Sequence, residues 1–179
     1  MLKIYLTDLA AYNNGYLVGK WVNLPLNTIE LSQEIQQILI DGATACGYGD
    51  VHEEWFISDF EWDTIALHKI DEYEDIYTLN QQLLLIEDKS SAELKKIKYL
   101  LDSGITNSIE NSLEHIDDVL IYENQTLEDI AYNYLNESYE VDKLPTIISS
   151  HIDYNGIAKD LEMEGIYTVV GSDVFECRS

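Results

Sequence analysis

Residues 75–118 read DIYTLNQQLLLIEDKSSAELKKIKYLLDSGITNSIENSLEHIDD. The apolar positions Ile76, Leu79, Leu83 and Ile86 recur at intervals of three and four, the period of an α-helix that buries one face. Ser90 and Glu93 have the spacing of a capping box, in which the two side chains satisfy the first free N–H groups of a helix, and they precede a second stripe of Leu94, Ile97 and Leu101. Asp102-Ser103-Gly104 stops that helix, and a third begins near Thr106 and presents Ile109, Leu113 and Ile116. The stretch shows helical period throughout, whereas both of its flanks carry strands, and this contrast sets the fold class.

On the N-terminal side, Leu2 to Thr7 alternates apolar and polar residues. Asn13-Asn14-Gly15 is a turn signal ahead of a second extended run, Leu17 to Leu24, so a hairpin-like pair is expected. Asn27 with Glu30 opens a helix to about Ile40; Gly42 to Asp50, with its three glycines, reads as a loop, and Glu54 to Phe60 as a third strand. On the C-terminal side, Val119 to Tyr122 is a short strand. Thr126 and Asp129 start a helix whose Leu127, Ile130, Ala131, Tyr134 and Leu135 keep helical spacing. Pro145 suits a helix start and His151 to Met163 reads as helix. Ile166 to Val170 and Val174 to Cys177 form a hairpin across Gly171-Ser172-Asp173. The expectation is an α+β chain of three small domains, 1–74, 75–117 and 118–179, with antiparallel sheet and helices at both ends and a helical middle.

The 179 residues are 46% apolar, enough for a core, and include 13 Tyr, 3 Trp and 3 Phe, which excludes intrinsic disorder despite the charge. That charge is extreme: 34 Asp and Glu against 10 Lys and Arg give a formal net of -24. Such a surplus repels phosphate, so nucleic acid and anionic membrane surfaces are excluded as direct partners and basic proteins remain. No apolar run approaches the ~18 residues of a spanning helix, and Met1 to Ala11 lacks the basic and apolar regions of a secretory signal. Cys46 and Cys177 have no metal-like or scaffold-like spacing. A cytoplasmic location is expected.

The acids are grouped. Nine lie between Lys20 and Lys69, and eleven between Lys98 and Lys143, with no base in either window. In the helix expected over Thr106 to Asp118, Glu110, Glu114, Asp117 and Asp118 share about a third of the circumference, while Ile109, Leu113 and Ile116 occupy another sector. An acidic surface often serves solubility alone, but a solvated helix face ordinarily interleaves both signs, and like charges at i, i+4 cost roughly 0.2–0.5 kcal/mol per pair. Halophilic adaptation fits poorly with a chain rich in Ile, Asn and Tyr. Twenty-four charges equal the phosphates of roughly 40 Å of duplex. Spread evenly over a globule of roughly 9,000 Å², the acids would stand more than twice as sparsely as phosphates on DNA, so imitation of a duplex requires them to be drawn into stripes.

Catalytic constellations are missing. His52-Glu53-Glu54-Trp55 has no second zinc-ligating His, His151-Ile152-Asp153 is a lone pair, and Asp71-Glu72-Tyr73-Glu74-Asp75 lacks the glycine and spacing of a calcium loop. Gly47-Tyr48-Gly49 has no Lys to complete a phosphate cradle, and no Ser or Cys occupies a nucleophile motif. No enzyme activity, cofactor or metal is expected.

Tyr5, Leu9, Tyr12-Asn13, Gly15, Leu17, Gly19 and Trp21, followed by Glu53-Glu54-Trp55, Ile57 and Asp59-Phe60-Glu61, resemble the opening of the ArdA antirestriction proteins. Asp71-Glu72-Tyr73, Leu79-Asn80, Leu144-Pro145, Ile152-Asp153-Tyr154 and Asp160-Leu161 extend the likeness over nearly the whole chain, with His151 and Lys159 as departures. The resemblance implies an elongated homodimer that imitates bent B-form DNA and inhibits type I restriction-modification enzymes, both the methyltransferase core and the full complex, for an incoming mobile element. The imitating surface is assigned to Asp50, Glu53, Glu54, Asp59, Glu61, Asp63, Asp71, Glu72, Glu74, Asp75, Glu110, Glu114, Asp117, Asp118, Glu128 and Asp129. The segment resembling the antirestriction motif contributes Leu144, Pro145, Ile152, Asp153 and Tyr154, and Val119, Leu120, Ile121 and Tyr122 are expected to pair across the dimer axis. The alternative function is an acidic adaptor or chaperone for basic nucleic-acid-binding proteins.

Overall fold

The computed structural model describes residues 1–47 and 51–178. Alternation in β1 (Leu2–Asp8) places Leu2, Ile4 and Leu6 on a fully buried face and Lys3, Tyr5 and Thr7 on the other. Asp8 ends the strand, and its carboxylate accepts the Ala11 N–H at 2.6 Å to cap α1 (Leu9–Asn13). The connection at Asn13-Asn14-Gly15 is therefore the end of a helical turn rather than a bare hairpin loop, and β2 (Gly19–Leu24) begins two residues later than its pattern suggests. β1 is central, with β2 and β3 (Trp55–Trp62) antiparallel on either side.

The β1–β3 register slips once: Tyr5 opposes Asp59 while Leu6 opposes Ile57, leaving Ser58 as an extra residue. Because strand faces alternate with period two, this bulge reverses parity. Asp59 and Glu61 join Tyr5 and Lys3 on the outer face, and Phe60 and Trp62 turn inward beside Ile4 and Leu2. Those inward rings carry the strand past Phe60, its expected end.

The inner face is covered by α2 (Thr28–Cys46), capped by Asn27 and burying Leu31, Ile35 and Ile38. This helix continues beyond Ile40, so Gly42 is helical and not part of a loop. A Cβ at Gly42 would stand 2.5 Å from the Asp8 carboxylate carbon, so glycine is what lets α2 press against the β1–α1 corner. The helix ends at Gly47, in the left-handed region with φ 72°. The remainder of the expected loop, 48–50, lies outside the described residues.

In the middle section, Asp75 caps α3 (Ile76–Leu84), whose Ile76, Leu79 and Leu83 are buried along with Ile86. The Ser90–Glu93 capping box opens α4 (Ser91–Asp102). The expected single helix from Thr106 to Asp118 is two pieces. Thr106 is buried, its hydroxyl 2.6 Å from that of Ser112, and Ser108 caps α5 (Ile109–Glu114). His115, at φ -107° and ψ 4°, breaks the run before a 3₁₀ turn at Ile116–Asp118.

The last section contains β4 (Val119–Tyr122), α6 (Leu127–Tyr139) behind the Thr126–Asp129 capping box, and α7 (Thr146–Ser149) behind Pro145. α8 (Tyr154–Met163) starts at an Asp153 cap, three residues later than expected, followed by β5 (Tyr167–Val170) and β6 (Asp173–Cys177). The second antiparallel sheet has the order β4-β6-β5, so β4 is an edge. Ile130 and Ala131 of α6 and Ala158 and Leu161 of α8 pack on Val174.

The chain is thus α+β, with two three-stranded antiparallel sheets and helices at both ends and in the middle. One apolar cluster runs from the first sheet and α2 through α3 to Ile97, Ile109 and Ile116. α4 reaches the second sheet through Tyr99, whose ring stacks on Phe175 at 4.6 Å between centroids. The accessible surface of 10859 Å² exceeds by roughly a fifth the value expected for a compact globule of 20.5 kDa.

Candidate functional site

The field around the molecule is set by which carboxylates the chain neutralises for itself. Lys3 pairs with Asp63, Lys20 with Glu34, Lys89 with Glu93, Lys98 with Asp102, Lys143 with Glu140 and Arg178 with Glu176. Lys95 bridges Glu123 at 2.8 Å and Asp173 at 2.7 Å, tying α4 to the turn after β4 and to the start of β6. Among the described residues, that leaves Lys69, Lys96 and Lys159 without a carboxylate partner. Four of the ten bases fall between Lys89 and Lys98, and three of those four are bound to the chain's own acids. Most of the positive charge is thus taken up by the chain's own acids, and the outward excess of carboxylate is largely uncompensated.

The acids assigned from sequence are exposed, apart from Glu74, which is half-buried, and Asp50, which lies outside the described residues. They differ in how free they are. Asp63 is held below the usual carboxylate range by the hydrogen bond from Lys3. Asp75, the cap of α3, and Asp129, the third residue of α6 in the capping box with Thr126, are drawn down by hydrogen bonds from Thr78 and Thr126. Asp118 lies 3.1 Å from the His115 imidazole. Glu53, Glu54, Glu61, Asp71, Glu72, Glu110, Glu114, Asp117 and Glu128 make no ion pair among the described residues. Glu110 and Glu128 lie in the first turns of α5 and α6, where the helix dipole favours a negative charge.

The break at His115 means that Glu110 and Glu114 sit on α5 while Asp117 and Asp118 sit on the 3₁₀ turn, so the four form no stripe along a single helix. Other acids do converge. The Ile57 N–H donates to the Glu72 carbonyl at 2.9 Å, which lays the loop around Glu72 along β3. A cavity of about 560 Å³ on the outer side of the first sheet is lined by Tyr5, Thr7, Tyr12, Phe56, Asp59 and Glu72, among others. Pattern reading passes over this concavity, because the bulge at Ser58 that brings Asp59 to it is written only in the register. Sequence inspection also leaves out the exposed Glu137, Asp160, Glu162 and Glu164, which helical periodicity alone would have placed on the solvent sides of α6 and α8.

The motif-like residues shape the path between α6 and α8. Pro145 precedes α7, Asp153 accepts the Gly156 N–H at 2.9 Å to cap α8, and Tyr154 packs its ring 5.3 Å from Tyr132. Leu144 is exposed and Ile152 half-buried, and Ile147 and Ile148 of α7 are also exposed. In β4, Val119 is buried while Leu120, Ile121 and Tyr122 are half-buried. The Tyr122 hydroxyl donates to Glu176 at 2.6 Å, and burial together with that carboxylate pushes its phenol far above the ordinary value. Burial pushes Glu176 up, but the hydrogen bonds from Arg178 and Tyr122 outweigh it and the net displacement is downward.

Among the described residues, no group of three or more His, Cys, Asp and Glu side chains could hold a metal ion, and no helix is long and apolar enough to cross a membrane. His52 is engaged structurally, 2.8 Å from the buried Asp8 carboxylate. Comparison with curated proteins gives no match. The family model described as Antirestriction protein (ArdA) matches residues 4–176 of the 179, so the carboxylate-rich surface belongs to a member of the ArdA antirestriction family.

Proposed function

We propose that this protein blocks type I restriction-modification enzymes in the cytoplasm by occupying their DNA-binding groove, its surface carboxylates standing in for phosphates. The observation that carries the reading is the internal consumption of the bases. Seven of the ten are bound to the chain's own acids, so the exposed carboxylates along β3, the 71–75 loop, α5 and α6 meet solvent without counter-charge. A groove lined with Lys and Arg to follow a phosphate backbone attracts such a surface by the same Coulombic force, and a folded array loses little order on binding. No chemistry on DNA is needed. The extra surface area agrees with an extended body made of sections 1–74, 75–117 and 118–179, the first two sharing an apolar cluster.

The working unit is a homodimer in which the free edge of β4 pairs with its copy across a two-fold axis, roughly doubling the length of duplex that can be imitated. Because the charge is distributed, neutralising any one of Glu110, Glu114, Asp117 and Asp118 should weaken inhibition less than about 5-fold, whereas replacing all four by Lys should abolish it. Protection of unmodified DNA from a purified type I enzyme is the readout. Normal inhibition by the quadruple variant would remove this region from the contact surface.

A further inference from the structure

The outer face of the first sheet is only partly covered: Thr7 and Phe56 are buried at one end, beneath Tyr12 and beside the Glu72 loop, while Trp21, Asp59 and Glu61 remain exposed. α2 lies on the inner face, and the outer one presents three columns: Asn23, Trp21 and Gly19 of β2; Lys3, Tyr5 and Thr7 of β1; Glu61, Asp59 and Phe56 of β3. The rings are set in edge-to-face pairs, Tyr5 with Trp21 at 5.3 Å and Tyr12 with Phe56 at 5.3 Å. Gly19 makes room for the first pair, since a Cβ there would stand 2.6 Å from Tyr5 Cε1. The 560 Å³ cavity has Tyr5, Tyr12 and Phe56 in its wall, with Trp21 behind Tyr5, and falls within the size range of ligand pockets, roughly 300–1,000 Å³. Its lining also includes the Thr7 and Ser58 hydroxyls, 2.7 Å apart.

Asp59 and Glu72 line the same cavity, and no base does. The nearest cations on the sheet are already committed, Lys3 to Asp63 at 2.7 Å and Lys20 to Glu34. Among the described residues, the one hydrogen bond to the Asp59 carboxylate comes from the adjacent Phe60 N–H. A ligand that fits must therefore bring positive charge to two carboxylates and a flat, weakly hydrated surface to aromatic walls. Guanidinium meets both demands, because its fork matches carboxylates and its plane stacks on rings, while the strongly hydrated ammonium of Lys fits the walls less well.

We infer that this cavity is a guanidinium-binding site which receives an arginine side chain of the protein partner. The inference rests on the proposed inhibitory function for the partner's identity, and it adds a discrete anchor to a surface that otherwise acts through distributed charge. An arginine in the cavity would be gripped by shape and cation–π contact, which salt screens less than the carboxylate surface around it.

The test uses the full-length protein and N-acetyl-L-arginine amide, with the lysine amide and the neutral citrulline amide as controls, followed by NMR of the Tyr5, Tyr12 and Phe56 ring signals. Arginine should shift these signals and bind at least about 5-fold more tightly than citrulline and about 3-fold more tightly than lysine. Asp59→Asn and Glu72→Gln, both at exposed positions, should each lower arginine affinity about 3-fold, and together they should weaken inhibition of the type I enzyme at least 10-fold at 300 mM salt. Equal binding of arginine and citrulline, ring signals that do not move, or a double variant that loses arginine binding yet inhibits normally would each overturn the site. Wild-type protein that fails to inhibit at all would instead refute the function on which it rests, and arginine titration of the isolated protein keeps the two failures apart.

Discussion

Gly42→Ala offers a test of how α2 meets the first sheet. In an ordinary solvent-facing helix interior this change stabilises by about 1 kcal/mol, since alanine loses less chain entropy and has the best helix propensity. Here the added methyl would overlap the carboxylate of Asp8, a fully buried group that accepts the Ala11 N–H and the His52 imidazole. Overpacking of this kind costs about 1–3 kcal/mol, and displacing a buried carboxylate from its partners adds a comparable penalty. Taking about 3 kcal/mol for the two and subtracting the propensity gain, Gly42→Ala should destabilise by about 2 kcal/mol, a fall in Tm of roughly 4–8 °C for a chain of this size. In an Asp8→Ala background the obstruction is gone, and the same change should stabilise by about 1 kcal/mol. The coupling between the two sites is then about 3 kcal/mol. Urea unfolding followed by far-ultraviolet circular dichroism for the four proteins of the cycle measures each quantity. If Gly42→Ala alone leaves stability unchanged or raises it, the close approach of α2 to Asp8 is wrong.

Salt should act on folding and on inhibition in opposite directions. Screening relieves the self-repulsion of a chain of net charge -24, so Tm should rise by several degrees between 20 and 300 mM NaCl, while inhibition weakens over the same range. A rise or fall of both together would contradict the electrostatic account. Acid should loosen α4 late. Hydrogen bonds from the Ser90 backbone and hydroxyl and from Lys89 hold Glu93 at about 2, against an ordinary value of 4.5. The stability contributed by its ionised form is therefore complete above about pH 4.5 and is lost as pH falls toward 2. Carboxyl-carbon NMR of Glu93 reads this directly, and titration near 4.5 would show that the capping box is open in solution.

What could be read from sequence was local chemistry with a fixed spacing. Ser90 and Glu93, Thr126 and Asp129, and Asn27 ahead of Glu30 all cap helices because the hydrogen bonds involved span three residues. Ile76, Leu79 and Leu83 are buried because helical period alone sets their face. The misreadings share a different cause. Gly42 resembles a loop residue until Asp8, distant in sequence, is packed against it. Helical spacing continues from Ile109 and Leu113 to Ile116, yet the chain must turn at His115 to deliver Val119 into β4 and its pairing with Cys177. Of the candidate surface, the exposure of the acids was legible from their type. Their state was not, because whether Asp63 is free or bound depends on Lys3 of a different strand, and whether Asp59 faces the core or solvent depends on one bulged residue.

If the surface imitates a duplex, the protein and DNA compete for the same groove. The most direct measurement is the fluorescence anisotropy of a labelled duplex bound to a purified type I methyltransferase core, titrated with this protein at several salt concentrations. Release of the duplex at near-stoichiometric protein, with an apparent affinity that falls steadily as salt rises, is the predicted result. Retention of the duplex at a large excess of protein, with restriction nonetheless inhibited, would contradict it.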